Sequence, residues 1–157
     1  MYEINLNNDN KVYMRFSKRY DTIAISIEAQ LFKKLWRNTN YLAHIDVAKG
    51  NESTWINDYK YKWAELGFSK SKESPVPFAD ISYEINIYKM SIIKKRFSFF
   101  TKPFWEIKHS ISFSDGITRT IWLLCNGAKE LPFSISTNDA YNLVKAFENE
   151  VKILEKL

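Results

Sequence analysis

The run Ile111-Ser112-Phe113-Ser114-Asp115-Gly116-Ile117-Thr118-Arg119-Thr120-Ile121-Trp122-Leu123-Leu124, followed by Asn126-Gly127 and Leu131-Pro132-Phe133, sets the topology. Its pattern reads as a strand, a tight turn, a helix, a glycine stop and a second strand. Gly116 removes side-chain bulk at the turn. The first free N–H groups of the following helix then face the loop, which makes that end a candidate anion site. Thr118 and Thr120 add hydroxyl donors near the same end. Arg119 falls in the first helical turn, where the macrodipole disfavours a cation, and at about 100° per residue it lies opposite the Ile117, Ile121, Leu124 stripe. A negative partner is required. Asp115 is one candidate, although as an expected N-cap its carboxylate is engaged by backbone N–H groups. A bound phosphate is the other, since it would satisfy Arg119, the helix end and the threonines together. An Asp cap beside a solvated Arg remains the plainer account.

Outward from this run, Ile81, Tyr83, Ile85 and Ile87 alternate with Ser82, Glu84, Asn86 and Tyr88, which predicts a strand. A second strand is expected from Trp105 to Phe113. Asp80 and Glu84 fall on one strand face and Asp115 ends the other strand. Phosphoryl chemistry recruits carboxylates around Mg²⁺, so Asp80, Glu84 and Asp115 are the candidate metal ligands, with a solvated face as the alternative. His44 and His109, the only histidines, both fall in expected strands and are read as unrelated positions.

Toward the N-terminus, Tyr2 to Leu6 and Lys11 to Phe16 flank Asn7-Asn8-Asp9-Asn10 and read as a hairpin. Thr22 to Ile25 is a third short strand. Ile27, Leu31 and Leu35 predict a helix from Ser26 to about Asn38, and Tyr41 to Val47 returns to strand. Asn51 or Ser53 caps a helix through Trp55, Tyr59 and Trp63 that ends at Gly67. The spacing of those aromatics fits packing, or else a contact surface for a partner protein. Ser69 to Pro77 is the most loop-like stretch. At the other end, Ala140, Val144, Phe147, Val151 and Leu154 predict a helix from Asn138 to Leu157. Strands interrupted by helices make the fold α+β, a mixed sheet partly covered by helices.

With 157 residues the chain fits one domain, and its 45% hydrophobic and 26% charged residues exclude disordered, collagen-like and coiled-coil classes. Aromatics reach 16%, against four Gly and four Pro, as in a well-filled core. Cys125 is the only cysteine, so an intrachain disulfide and a Cys-rich zinc site are out, and no stretch approaches a membrane span. A cytoplasmic location is expected. The formal charge of +5 is concentrated in residues 89–108, where Lys89, Lys94, Lys95, Arg96, Lys102 and Lys108 face only Glu106. Phe97, Phe99, Phe100, Phe104 and Trp105 interleave with them. Cations neutralise phosphates and exposed aromatics stack on bases, so Lys94, Lys95, Arg96 and Lys102 are the candidate DNA contacts. The alternative is a buried strand with a solvated basic flank.

The order D-G-x-x-R on a strand-to-helix turn, an apolar helix, Gly127 and then Leu131-Pro132 entering a strand resembles the ParB/sulfiredoxin superfamily. Within it, Asp115 to Ala128 together with Pro75-Val76-Pro77-Phe78-Ala79-Asp80-Ile81 resembles the plasmid fertility-inhibition factors, the Osa-like group. The resemblance covers about residues 55–135. It implies a ParB/sulfiredoxin-like part over 51–136, between an N-terminal hairpin and helix (1–50) and a C-terminal helix (137–157). It also implies a plasmid-encoded suppressor of conjugative transfer, with ATP hydrolysis under Mg²⁺ and DNA binding or cleavage among the group's linked activities. Carried onto this chain, Arg119, Asp115 and Asp80 would be catalytic. Gly116, Thr118, Arg119 and Thr120 would hold the nucleotide, and Asp115 and Asp80 the metal. Two departures stand out. Ile117 occupies the place of the sulfiredoxin nucleophilic Cys, which excludes sulfinic-acid reduction. Ile117 and Thr118 also replace the acid and the second basic residue of ParB proteins. A non-catalytic inhibitor that binds a protein of the transfer machinery is the alternative reading, and the oligomeric state stays open.

Overall fold

The computed structural model describes residues 1–91 and 103–154. Two sheets share one hydrophobic core. The smaller holds β1 (Tyr2–Asn5), β2 (Lys11–Arg15) and β4 (Val76–Pro77), in the order β1-β2-β4. The larger runs β6-β5-β7-β3-β8, from β6 (Pro103–Asp115) and β5 (Ala79–Ser91) through β7 (Glu130–Ser136) and β3 (Thr22–Glu28) to β8 (Val151–Ile153). Helices α1 (Ala29–Arg37), α5 (Ile117–Cys125) and α6 (Thr137–Ala146) cover parts of it, while the short α2 (Ile45–Lys49), α3 (Glu52–Trp55) and α4 (Tyr61–Phe68) form an outer layer in which α3 and α4 pack on α5. The architecture is a mixed α/β fold with a multi-stranded sheet partly covered by helices.

Aromatic residues fill the space between the layers. Phe32 of α1 stacks on Phe133 of β7 at 4.8 Å, Trp36 meets Phe113 edge-on at 5.2 Å, and Phe68 of α4 stacks on Trp122 of α5 at 4.4 Å. Such pairs add about 0.5–1.5 kcal/mol each beyond the apolar area they bury. The expected N-terminal hairpin forms, with Tyr2 opposite Met14 and Asn5 opposite Lys11. The β5 and β6 strands also form, each thirteen residues long and paired antiparallel from Asp80 opposite Asp115 to Ser91 opposite Pro103.

Four expectations are corrected. Ser26 and Ile27 belong to β3, because this strand pairs on both sides, with β7 and β8, and its β-branched Ile23, Ile25 and Ile27 suit a buried central strand. The helix starts only at Ala29. Tyr41 to Val47 is a 3-10 turn running into α2, with Tyr41 and Leu42 exposed and in no strand pairing among the described residues. The helix expected from residue 51 to 67 is two helices. Asn51 caps the first through a capping box with Thr54, and a turn at Asp58, whose carboxylate accepts from the Lys60 N–H at 2.8 Å, separates them. Trp55 therefore points into the core while Tyr59 and Trp63 point out. The long C-terminal helix stops at Ala146, where Phe147 leaves helical geometry, and Val151–Ile153 returns as the edge strand β8. The open edge of β3 provides backbone partners that a continued helix could not use. The stretch read as a loop over 69–77 also ends in the two-residue strand β4, parallel to β2.

Candidate functional site

At the end of β6 the chain turns through Gly116 into α5, and the turn is held by close packing. Gly116 has φ 93°, and a Cβ there would stand 2.5 Å from the Ala79 Cβ and 2.6 Å from the Arg119 Nη2. Glycine is needed for both reasons. Gly116 itself takes the N-cap position, without a side-chain cap, which corrects the expectation that Asp115 is the cap. The Asp115 carboxylate is left free, and the Arg119 Nη2 pairs with it directly. Arg119 also donates through Nη1 to the Pro77 carbonyl at 3.3 Å. Its side chain is only 17% exposed, whereas that of Asp115 is 70% exposed, so Asp115 is the solvent side of the pair.

Asp80 stands opposite Asp115 in the β5–β6 register, beside an irregularity at Asp80/Ile81. The two candidate carboxylates are thus neighbours, as the shared-site reading required. Each, however, is already closed by an arginine: Asp115 by Arg119, and Asp80 by Arg19 from the segment before β3. Glu84, four residues further along β5, is exposed and stands opposite Ser110, away from Asp115. Among the described residues no group of three or more His, Cys, Asp or Glu side chains comes together to hold a metal ion.

A cleft of about 580 Å³ opens in front of the turn, lined by Ser114, Gly116, Thr118 and Arg119 and, across from them, by His44, Asp58 and Lys60. Thr118 lies on the cleft. Thr120 does not: it is buried, and its hydroxyl donates to the Gly116 carbonyl at 3.2 Å, closing the first helical turn. Neighbouring Tyr59, Asp58 and Asp115 raise the Lys60 ammonium above its usual range, with the Tyr59 hydroxyl the largest cause. His44, Asp58, Lys60 and Arg19 reach this region only through long-range packing, and no spacing in the sequence links them to the turn. His109 lies elsewhere, its ring stacked near Tyr83 at 5.9 Å and edge-on to Phe147 at 5.1 Å, which separates the two histidines as expected. Lys94, Lys95, Arg96 and Lys102, the candidate DNA contacts, lie outside the described residues, as do Phe97 to Phe100.

A second, apolar groove of about 370 Å³ adjoins the cleft. Tyr59 and Trp63 wall it, Ala64, Gly67 and Val76 form its floor, and Lys60 and Arg119 close one end. Trp63 is 71% exposed and Tyr59 79%, while Trp55 is buried. Of the aromatic row read from the sequence, two members therefore form a surface and one belongs to the core.

The profile of the Plasmid Fertility inhibition factor family matches residues 24–147, from β3 through α6, so it takes in the β6–α5 turn, the cleft and the groove. The chain belongs to the plasmid fertility inhibition factor family. A solved structure described as "Oncogenic Suppression Activity Protein - A Plasmid Fertility Inhibition Factor, Gold (I) Cyanide derivative" superposes with a TM-score of 0.64 over 91% of this chain, at 20% sequence identity. At that identity the likeness is one of fold. The chain spans 66% of the length of that protein. No curated protein matches it. No helix among the described residues is long and apolar enough to cross a membrane.

Proposed function

We propose that this family member suppresses conjugative DNA transfer as a non-catalytic inhibitor, by binding a protein of the transfer machinery. The observation that carries this reading is the pair of large aromatic side chains, Tyr59 and Trp63, held out of the core over an apolar groove beside the β6–α5 turn. Exposed aromatics around a pocket are the usual anchors of protein contacts. The reading takes the fold as ParB/sulfiredoxin-like and the location as cytoplasmic. A mating assay with a transfer-competent donor tests it. Trp63→Ala and Tyr59→Ala should lose suppression while the melting temperature stays within a few degrees of wild type, and full suppression by the double variant would overturn the proposal.

The cleft in front of Gly116 favours a second reading, in which ATP with Mg²⁺ binds there and DNA is bound or cut along Lys94, Lys95, Arg96 and Lys102. That reading requires Arg119 to exchange Asp115 for a phosphate and Asp80 to exchange Arg19 for the metal. Thermal unfolding with and without ATP, CTP and Mg²⁺ tests it, because a ligand selective for the native state raises the midpoint. No shift at millimolar nucleotide would remove it.

A further inference from the structure

Strand β5 pairs with β7 only at Ala79 and Asp80, so from Ile81 onward β5 and β6 form a two-stranded ribbon. One face of it is apolar. Ile85 stands opposite His109, Ile87 opposite Ile107 and Lys89 opposite Trp105, which places these side chains on one face. Phe147 covers that face at His109, its ring edge-on at 5.1 Å. Beyond it Ile85, Ile87, Trp105 and Ile107 are each at least half exposed. A contiguous apolar row of this kind marks a contact surface.

Among the described residues no strand lies beside the outer edge of β6, and the run Trp105-Glu106-Ile107-Lys108-His109 on that edge is its own antiparallel complement. A twofold axis through Ile107 sets Glu106 of each copy opposite Lys108 of the other on the polar face. On the apolar face it sets Trp105 opposite His109 and brings the two Ile107 side chains together. Within one chain Lys108 stands 3.9 Å from Glu106 and 5.5 Å from the Tyr88 ring centre, and both charged side chains keep nearly half their surface. Such contacts are weak and leave the ammonium and the carboxylate open to a second partner. Moving the axis to Glu106 or to Lys108 would set like charges against each other. An axis between two residues would join the apolar face of one copy to the polar face of the other. The outer edge of β5 offers no counterpart, since its polar positions Ser82, Glu84, Asn86 and Tyr88 carry a single charge. Asn38 donates to the His109 carbonyl at 3.0 Å and marks where the body of the chain begins to cover β6.

We propose that the chain forms a twofold dimer through antiparallel pairing of Trp105 to His109 of β6 with the same residues of a second copy. A twofold contact is closed, so the exposed edge is used once and does not propagate into a fibre. So short a pairing makes a small interface, and its dissociation constant should fall at about 1–100 µM. The inference stands apart from the protein-contact reading above, because the groove at Trp63 takes no part in it.

Sedimentation velocity on the full chain over about 10–500 µM tests it, and the wild type should pass from monomer to dimer within that range. Glu106→Lys and Lys108→Glu each set like charges opposite one another at both ends of the pairing. Either variant alone should weaken the dimer by about tenfold or more, with a melting temperature within a few degrees of wild type. Mixed in equal amounts they should form a heterodimer at least as tight as the wild-type dimer, because one now presents two cations there and the other two anions. Oxidation in a Cys125→Ser background checks the register. Ile107→Cys should crosslink to itself across the axis, whereas Trp105→Cys, about 14 Å from its counterpart, should not. A wild type that stays monomeric throughout would overturn the proposal, as would single variants that associate like wild type, a mixture that forms no heterodimer, or equal crosslinking at the two positions.

Discussion

Asp80 and Asp115 face each other across β5 and β6, and each is closed by its own arginine. Two carboxylates side by side repel unless cations or a metal lie between them. In this chain the compensation is internal. Arg119 sits in the first turn of α5, an unfavourable place for a cation by the helix dipole alone, and Asp115 supplies the negative charge that the sequence argument demanded.

Arg119→Ala should therefore act chiefly on stability. The guanidinium is mostly covered and holds both Asp115 and the Pro77 carbonyl, but Asp115 is solvated, so solvent screening keeps the loss to about 1–2 kcal/mol. Denaturant unfolding checks the magnitude. On the protein-contact reading suppression of transfer persists, and its loss in a fully folded variant would favour the anion site instead.

Two glycines should respond oppositely to alanine. Gly116→Ala forces a Cβ into Ala79 at a left-handed φ and should cost about 2–3 kcal/mol. Gly67→Ala meets only ordinary contact and should stabilise by up to about 1 kcal/mol. Urea midpoints for the two variants check both signs.

The tryptophans divide in the same manner. Trp36 is fully buried, stacked on Trp55 at 5.9 Å and edge-on to Phe113, so Trp36→Ala should cost about 3–5 kcal/mol. Trp63→Ala should change stability by no more than about 0.5 kcal/mol while reducing suppression. Equal thermal destabilisation of both would contradict the exposed placement of Trp63.

Burial pushes the Tyr61 hydroxyl from its usual value near 10 up to about 12. Because the folded pKa is the higher one, the native state favours the protonated phenol. Its contribution is fully present below pH 10 and is lost as pH rises toward 12. Unfolding free energy should fall across that window, and Tyr61→Phe should flatten the fall. In acid the sign reverses for Glu130, held below the usual carboxylate range chiefly by its hydrogen bond with Lys152. Its contribution is present above the unfolded value near 4.5 and is lost as pH falls further. A Lys152→Met variant should show a shallower acid limb.

Local patterns carried much of the fold. The alternation of Ile81 to Tyr88 and the Asp-Gly turn between β6 and α5 were readable because each depends on a handful of adjacent residues. The two misplaced boundaries between helix and strand share one cause. Ile27, Leu31 and Leu35 keep helical spacing across a strand-to-helix boundary, and Val144, Phe147, Val151 and Leu154 keep it across a helix-to-strand boundary. Periodicity records which residues are apolar, and the open edge of β3 decides where backbone hydrogen bonds are satisfied.

The sequence by itself determined the composition of the core, the glycine at the turn, the position of Arg119 at a helix start, and the family resemblance carried by Asp115 to Ala128. Tertiary structure alone decided that Arg119 pairs with Asp115, that Arg19 reaches Asp80 across 61 residues, and that Trp63 faces outward while Trp55 faces the core. Ion pairs and exposure depend on which distant segments pack together. Neither the spacing nor the chemistry of a single stretch contains that information.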